Sequence, residues 1–156
     1  MHGYRGLFLL SAVVVANLTP LRLQAQTCQA AVQDLDFGVY SSFASAPTEA
    51  DARITVRCDG AAPVPVAITI DSGRYSAGFV PRLMRHAHLE DQIGYLLFSD
   101  ASMTTIWGDG TRGSVSVVKQ VPPGALAEIP VYGRIPPGQD IGVGHYADRL
   151  TVHLDW

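Results

Sequence analysis

Charged residues are scarce in this chain of 156 residues, of which only 16% are Asp, Glu, Lys or Arg, against about 25% in typical soluble domains. Lysine is almost missing, because Lys119 is the single lysine among 11 basic residues, and the net charge is -3. This balance excludes a basic nucleic-acid-binding protein. Hydrophobic residues make up 47% of the chain, which excludes intrinsic disorder and raises the question of where the surplus apolar surface is buried.

Long apolar runs are also missing. The uncharged apolar run from Gly6 to Ala16 is shorter than the roughly 20 residues that span a bilayer. It follows the positive Arg5 and precedes the small residue Ala25, which is the order of regions in a secretory signal. We expect residues 1–25 to be a cleaved signal peptide and residues 26–156 to be one exported domain, with no membrane span afterwards. The alternatives are a membrane anchor or a buried helix.

Cysteine occurs only twice, as Cys28 and Cys58, both in the exported part. In an oxidising compartment two cysteines most simply form one disulfide, worth roughly 3–4 kcal/mol for a loop of this size. The His86-Ala87-His88 pattern could hold a metal on a strand, but no third ligand motif accompanies it. We interpret the two histidines as a solvated pair in an arginine-rich loop with Arg82 and Arg85, and expect no metal or cofactor.

Motifs for a catalytic serine and for a phosphate-binding loop are missing as well. The sequence contains no G-x-S-x-G and no GxxxxGK[ST], and we expect no enzyme. Its candidate carboxylates lie in or beside predicted turns, where Asp is favoured by local hydrogen bonds; they are Asp71, Asp109, Asp140 and Asp148. We interpret Trp107 to Gly110 as a tight turn with a packing aromatic rather than as a sugar-binding platform. If the protein attaches to a surface, the aromatic residues to test in exposed loops are Tyr75, Phe79 and Trp107.

The exported part consists mostly of alternating apolar and polar residues, which predicts strands with one buried face. Turn residues separate these runs, as at Asp59-Gly60 and Pro136-Pro137-Gly138. Pro65 predicts a strand edge or bulge, and Pro130 an interruption. The predicted strands lie at 28–40, 52–58, 64–71, 93–98, 114–119, 126–135 and 146–156. Their number and spacing predict an all-β sandwich.

The last predicted strand has a strong alternation, with Leu150, Val152, Leu154 and Trp156 in phase. No further strand follows it. An unpaired apolar edge is an aggregation hazard that proteins normally cover. We therefore expect another chain to cover this edge by β-strand addition.

Eight short segments in this order resemble the spore coat protein U family, which contains the subunits of archaic chaperone–usher pili. The resemblance covers the chain from Cys28 to Trp156. The segments are Phe37 to Tyr40, Val56 to Cys58, Ile70 to Gly73, Arg82 to Met84, Ile93 to Leu97, Trp107 to Gly110, Val131 to Pro136 and Gly144 to Asp148.

The resemblance implies an incomplete immunoglobulin-like β-sandwich that lacks its seventh strand and is completed by donor-strand complementation. It implies a periplasmic pilus chaperone, an outer-membrane usher and a neighbouring pilin subunit as partners, and transit through the periplasm of a Gram-negative bacterium to a surface pilus. The family disulfide falls on Cys28 and Cys58. The groove for the partner strand would be lined by Leu35, Phe37, Leu150, Val152, Leu154 and Trp156.

One feature departs from the family pattern. A polymerising subunit needs about ten alternating apolar residues before its first cysteine, but only Gln26 and Thr27 separate the expected cleavage point from Cys28. We expect a subunit without a donor strand, which could sit only at a pilus tip or act outside the shaft. Alternatively, earlier cleavage would leave residues 18–27 as the donor, although Pro20 breaks their alternation.

Two classes of function remain after the sequence is read. The first is a structural pilus subunit, used in surface attachment and biofilm formation. The second is a stand-alone secreted or surface-coat β-sandwich that binds carbohydrate or protein.

Overall fold

The computed structural model describes residues 26–156, which form nine strands and no helix. The expected signal peptide, residues 1–25, lies outside the described residues. Among the described residues, no helix has the length and hydropathy needed to cross a membrane. The strands form a six-stranded and a three-stranded antiparallel sheet, so the all-β prediction is confirmed. The strands are β1 Thr27–Val32, β2 Thr48–Asp59, β3 Val64–Ile70, β4 Arg82–His86, β5 Gln92–Phe98, β6 Val117–Val121, β7 Leu126–Ile135, β8 Tyr146–Ala147 and β9 Val152–Asp155.

The six-stranded sheet has the order β1-β2-β7-β5-β4-β8. Strand β2 lies between β1 and β7, and the disulfide joins Cys28 of β1 to Cys58 directly opposite on β2. The predicted disulfide is therefore confirmed. It fastens the first strand, which is an edge strand, to its neighbour β2.

Pro130 does not interrupt β7, which continues through it opposite Arg53. The carbonyl of Arg53 accepts a hydrogen bond from the Gln33 amide on the β1 side, at 2.9 Å. Arg53 and Pro130 are therefore a pair without ladder hydrogen bonds, and the proline nitrogen points away from β2. On that side β5 pairs only with residues 132–134. The missing N–H costs no ladder bond, so the expected interruption is wrong.

The three-stranded sheet has the order β6-β3-β9 and covers one face of the larger sheet. Pro65 lies opposite Gln120 of β6, whereas β9 pairs only with Ala67 to Ile70. At Pro65, β3 therefore has a neighbour on one side only. This is the edge-like position that the proline predicts.

Three predicted segments differ from the structure. The first strand ends at Val32, so Leu35 and Phe37 follow it in irregular backbone. Arg82 and Arg85, expected in a loop, lie on strand β4. The last run divides into β8, which pairs with β4, and β9, which pairs with β3. Residues 148–151 carry the chain from the larger sheet to the smaller one. The pairing of β8 with β4 therefore ends at Ala147.

The core lies between the two sheets and is made of the inward residues of β2, β3, β5 and β7. Its largest fully buried apolar side chain is Trp107, whose indole Nε1 donates to the carbonyl of Ile68 at 3.2 Å. A buried indole N–H needs such an acceptor. The bond fixes the 106–108 segment against the end of β3.

Candidate partner-strand groove

One side of the core is open, and the strand β1 shows this most directly. Ala30 lies opposite Val56, and Val32 lies opposite Ile54. Directly opposed residues of an antiparallel pair share one face of the sheet. Val56 and Ile54 are fully buried, yet Val32 is 54% exposed. The inward face of β1 is covered at Cys28, but at Ala30 and Val32 it has no cover from the described residues.

The opposite wall of this open side is β9 and the segment before it. Leu150, Val152 and Leu154 are half-buried and pack against the core, while the residues between them are exposed. This alternation matches the sequence prediction. The side chains reach the core from one side only.

The main chain of β9 also has a free edge. The Asp71 amide donates to the Thr151 carbonyl at 3.1 Å, so the polar groups of Thr151 face β3. Because these groups alternate along a strand, those of Val152 and Leu154 face the other edge. No strand within residues 26–156 pairs with β9 there. The residues with inward side chains thus offer their N–H and C=O groups to an added strand.

Leu35 and Phe37 form the floor between the two walls. Both are half-buried and lie over Gly133 of β7, where a Cβ atom would be 2.6 Å from Leu35 Cδ2 and 2.7 Å from Phe37 Cζ. The Phe37 ring also contacts Tyr95 edge-on, with centroids 6.0 Å apart. Glycine at 133 permits this close approach, which places both side chains next to the open side.

Trp156, the sixth residue of the predicted groove, differs from the other five. It is 54% exposed, and its indole Nε1 donates to the Gln26 carbonyl at 3.2 Å. It therefore links the end of β9 to the beginning of β1 at one end of the open side. We call the open side lined by Ala30, Val32, Leu35, Phe37, Leu150, Val152 and Leu154 the partner-strand groove. Sequence reasoning missed Ala30 and Val32, although their two-residue spacing from Cys28 was a signal for them.

A buried polar cluster holds the chain where it crosses from β8 to β9. Tyr95 Oη donates to Asp148 Oδ2 at 2.7 Å, and Asp148 Oδ1 accepts the Arg74 amide at 2.9 Å. Burial raises the pKa of Tyr95, and the hydrogen bond to Asp148 raises it further. The cluster fixes the start of the segment that carries Leu150.

Arg82 is fully buried beneath this crossing. Its guanidinium donates to the carbonyls of Ile70, Asp71 and Trp107 at 2.9–3.3 Å and lies 5.0 Å from the Phe79 ring centroid. Burial lowers the pKa of Arg82, while Tyr95 and nearby carboxylates including Asp71 act in the opposite direction. Arg82 therefore joins the end of β3 to the 106–108 segment, and its interpretation as a loop residue is wrong.

The aromatic residues expected in adhesive loops are mostly buried. Trp107 is fully buried and Phe79 is 6% exposed. Tyr75 alone of the three is partly accessible. Trp107 is the packing aromatic that its turn predicts, since it bonds Ile68. The adhesive alternative for Trp107 and Phe79 is wrong, because both side chains are buried and Phe79 covers Arg82.

Two of the four predicted turn carboxylates, Asp71 and Asp109, make local hydrogen bonds. Asp71 Oδ1 accepts the Gly73 amide at 3.0 Å, and Asp109 Oδ1 accepts the amide and hydroxyl of Thr111 at 2.8 and 2.6 Å. These bonds lower the pKa of Asp109. The carboxylates of these two aspartates therefore stabilise their own turns.

The histidine pattern is not a solvated pair. His86 is buried and His88 is exposed. Nδ1 of His86 accepts the amides of His88 and Leu89, and Nε2 lies 3.3 Å from the Val143 carbonyl. Both ring nitrogens are therefore engaged by main-chain groups.

The comparisons with known proteins agree with this architecture. One similar solved structure is the crystal structure of the CsuC–CsuE chaperone–tip adhesion subunit pre-assembly complex from the archaic chaperone–usher Csu pili of Acinetobacter baumannii. The identity is 19% and the TM-score 0.58, over 85% of this chain. This chain spans 40% of the length of that chain. At this identity the likeness shows the fold alone.

A search among curated proteins found no match. The family model for the Spore Coat Protein U domain matches residues 13–153. The match includes the disulfide, every strand from β1 to β8 and the start of β9, and it begins upstream of the expected cleavage point. The chain belongs to the Spore Coat Protein U domain family.

Proposed function

We propose that this chain is a structural subunit of an archaic chaperone–usher pilus, and that a strand from another chain completes its sandwich along β9. The single observation that carries the proposal is the open core. Val32 is half-exposed opposite the fully buried Ile54, and the facing wall is the unpaired edge of β9.

The added strand has two kinds of contact in this proposal. Its main chain pairs with Val152 and Leu154, as in other cases of β-strand addition. Its alternate apolar side chains enter the groove above Leu35 and Phe37. Four or five aliphatic side chains at about 1.5–3 kcal/mol each would contribute on the order of 10 kcal/mol. This is comparable to the stability of a whole domain.

The partners follow from this need for a strand. A periplasmic chaperone supplies it during export, and a neighbouring pilin subunit replaces it at an outer-membrane usher. The fold described in the CsuC–CsuE complex, which pairs a chaperone with a pilus subunit, supports the first step. The subunit passes through the periplasm and ends in a surface pilus, and it has no catalytic role.

A fused strand tests the proposal. An alternating aliphatic segment is joined by a flexible linker after Trp156, and thermal unfolding is compared with that of the unfused chain. We expect the fusion to be soluble and much more stable. The control fusion carries the same segment with its aliphatic residues changed to serine, and it should not stabilise. Equal stability with and without the aliphatic strand would contradict the proposal. A chain that folds alone and binds glycans would favour a stand-alone binding module.

Substitutions in β9 provide a matched pair for the same test. Leu154→Ser removes an inward side chain of the groove, whereas His153→Ser alters its exposed neighbour on the same strand. In the fused protein, Leu154→Ser should lower the melting temperature and His153→Ser should leave it nearly unchanged. Equal effects would show that the added strand does not use the groove.

The position in the fibre depends on the N-terminus. With cleavage after Ala25, the subunit has no donor strand and occupies the tip or acts outside the shaft. With earlier cleavage, residues 18–27 are the donor. N-terminal sequencing of the secreted protein distinguishes these cases. A mature start at or before Asn17 removes the tip assignment.

Attachment and biofilm formation belong to this proposal, but with different contact residues. Fully exposed apolar side chains occur at Phe43 and Val143, in segments joined where the Gln139 amide donates to Tyr40 Oη at 2.8 Å. Phe43→Ala with Val143→Ala should reduce attachment of cells to polystyrene without reducing secretion. The control Tyr75→Ala should have the smaller effect; the reverse order would return the adhesive role to Tyr75.

A further inference from the structure

His86 lies at the end of β4, opposite Tyr146 of β8, and is 8% exposed. The pairing of β4 with β8 is short, because it consists of Arg85 with Ala147 and His86 with Tyr146. The rings of His86 and Tyr146 meet edge-on, with centroids 5.0 Å apart. His86 therefore lies where the chain is about to leave the larger sheet for β9.

The hydrogen bonds of His86 define its protonation state. Nδ1 receives the amides of His88 at 3.0 Å and Leu89 at 2.9 Å. A nitrogen that accepts two N–H groups carries no proton of its own. Nε2 then holds the ring proton and faces the Val143 carbonyl at 3.3 Å. These contacts fit the neutral ring with its proton on Nε2.

The surrounding charges are already engaged. Arg85 of β4 pairs with Glu90, and Asp91 Oδ2 accepts the Gly142 amide at 3.1 Å. The β8 segment contributes Tyr146 and the carbonyl of His145, which accepts the Ala87 amide at 2.9 Å. His88 lies with its ring centroid 6.2 Å from that of His86, and Tyr75 lines the same cleft. No carboxylate of the described residues bonds the His86 ring and would stabilise its protonated form.

We propose that His86 is an acid-sensitive latch between β4 and β8. Acid adds one proton from solvent to Nδ1, which turns the acceptor of two amides into a donor that faces them. The turn at 87–91 and the pairing with Tyr146 then lose the contribution of the His86 ring, and keep only the main-chain bonds from His86 to Asp91 and from Ala87 to His145. Because Nδ1 accepts the two amides only in the neutral ring, protonation of the ring by acid weakens this anchoring.

The consequence reaches the groove through the chain. β8 leads through residues 148–151 directly to Val152 on β9. Release of β8 therefore loosens one anchor of the groove wall without touching the disulfide at the other end of the sheet. The inference rests on the His86 contacts and holds whether or not a partner strand occupies the groove.

The first test reads the ring directly. Nitrogen-15 NMR of the full secreted protein reports the tautomer of His86 at pH 7.5 and its protonation on acidification. We expect Nδ1 without a proton at pH 7.5, together with protected amides at His88 and Leu89. Corrected for intrinsic exchange, their protection should fall on the order of tenfold or more by pH 5, because the two hydrogen bonds to Nδ1 are lost. A proton on Nδ1 at pH 7.5, or unchanged protection at pH 5, would overturn the proposal.

Two variants separate the latch from general acid effects. His86→Asn keeps an acceptor near the Nδ1 position but cannot titrate, so protection of the two amides should become independent of pH. His88→Asn removes the exposed neighbouring histidine and should leave the pH dependence as in the wild type. If the dependence follows His88 instead, the latch assignment fails. If His86→Asn does not fold, the wild-type tautomer and exchange measurements still decide the question.

Discussion

The indole of Trp156 donates a hydrogen bond to the main-chain carbonyl of Gln26, with 3.2 Å between Nε1 and the oxygen. The bond joins the last strand to the residue before the first strand, although these strands belong to different sheets. It spans one end of the partner-strand groove. The two chain regions that border the groove therefore meet at Trp156.

Removal of this bond should weaken the described fold by a small amount. Trp156→Phe keeps an aromatic ring but lacks the N–H, and should reduce the free energy of unfolding by about 1 kcal/mol. Denaturant unfolding of the strand-fused protein measures the change. Trp156→Ala should cost more, since it also removes apolar contact. If Trp156→Phe matches the wild type, the Gln26 bond contributes nothing to stability.

Leu35 and Phe37 approach the main chain of β7 so closely that position 133 requires glycine. Gly133→Ala places a methyl group within van der Waals overlap of both side chains, and should destabilise by about 1–3 kcal/mol. The matched control is Gly78→Ala, because a Cβ there meets no atom within 4 Å. Thermal unfolding of both variants is the measurement. Equal melting temperatures would show that the groove floor yields without cost.

Arg82 joins the end of β3 to the 106–108 segment, and lysine cannot replace its three carbonyl contacts. Arg82→Lys should destabilise by roughly 2–4 kcal/mol, because it leaves buried carbonyls without donors and the ammonium without its full set of acceptors. Arg85→Lys, on the same strand but paired at the surface with Glu90, should change stability little. Chemical denaturation distinguishes the two, and a mild effect of Arg82→Lys would contradict the role assigned to the guanidinium.

Tyr95 should make the fold sensitive to alkali. Its pKa is raised in the folded state by burial and by Asp148, so the folded state binds the phenol proton more tightly than the unfolded chain. The contribution to stability is complete below the ordinary tyrosine pKa of about 10 and is lost as the pH rises above it.

The variant Tyr95→Phe separates this effect from general alkaline unfolding. It loses the hydrogen bond to Asp148 and should be less stable at pH 7. Its stability should also decline less steeply above pH 10 than that of the wild type, as measured by unfolding at a series of pH values. If the stability of the two proteins declines in parallel above pH 10, Tyr95 does not cause the sensitivity to alkali.

Alternation of apolar residues predicted most of the strands, because one buried face per strand is a local requirement. The run Leu126 to Ile135 is a strand with the predicted bounds, and the inward phase of Leu150, Val152 and Leu154 is observed. The pairing of Cys28 with Cys58 followed from there being two cysteines in an exported chain. Local patterns of this kind do not depend on which strands become neighbours.

Other features depended on neighbours that the sequence does not specify. Whether Pro130 breaks a strand depends on which side of β7 has a partner. Whether Trp107 is a surface aromatic depends on the Ile68 carbonyl, and whether Arg82 is solvated depends on three carbonyls from two segments. For the same reason His86, which the sequence analysis places at the surface, is a buried hydrogen-bond acceptor in the structure.

The sequence by itself determined the all-β class, the disulfide and the apolar phase of the last strand, because each follows from residue type and spacing along the chain. Only the tertiary structure decided where the core is left open. That feature needs β1 and β9 to lie on different sheets with Val32 uncovered between them, and burial is a property of the assembled layers. The open side of the core explains why the chain has so many apolar residues and so few charged ones.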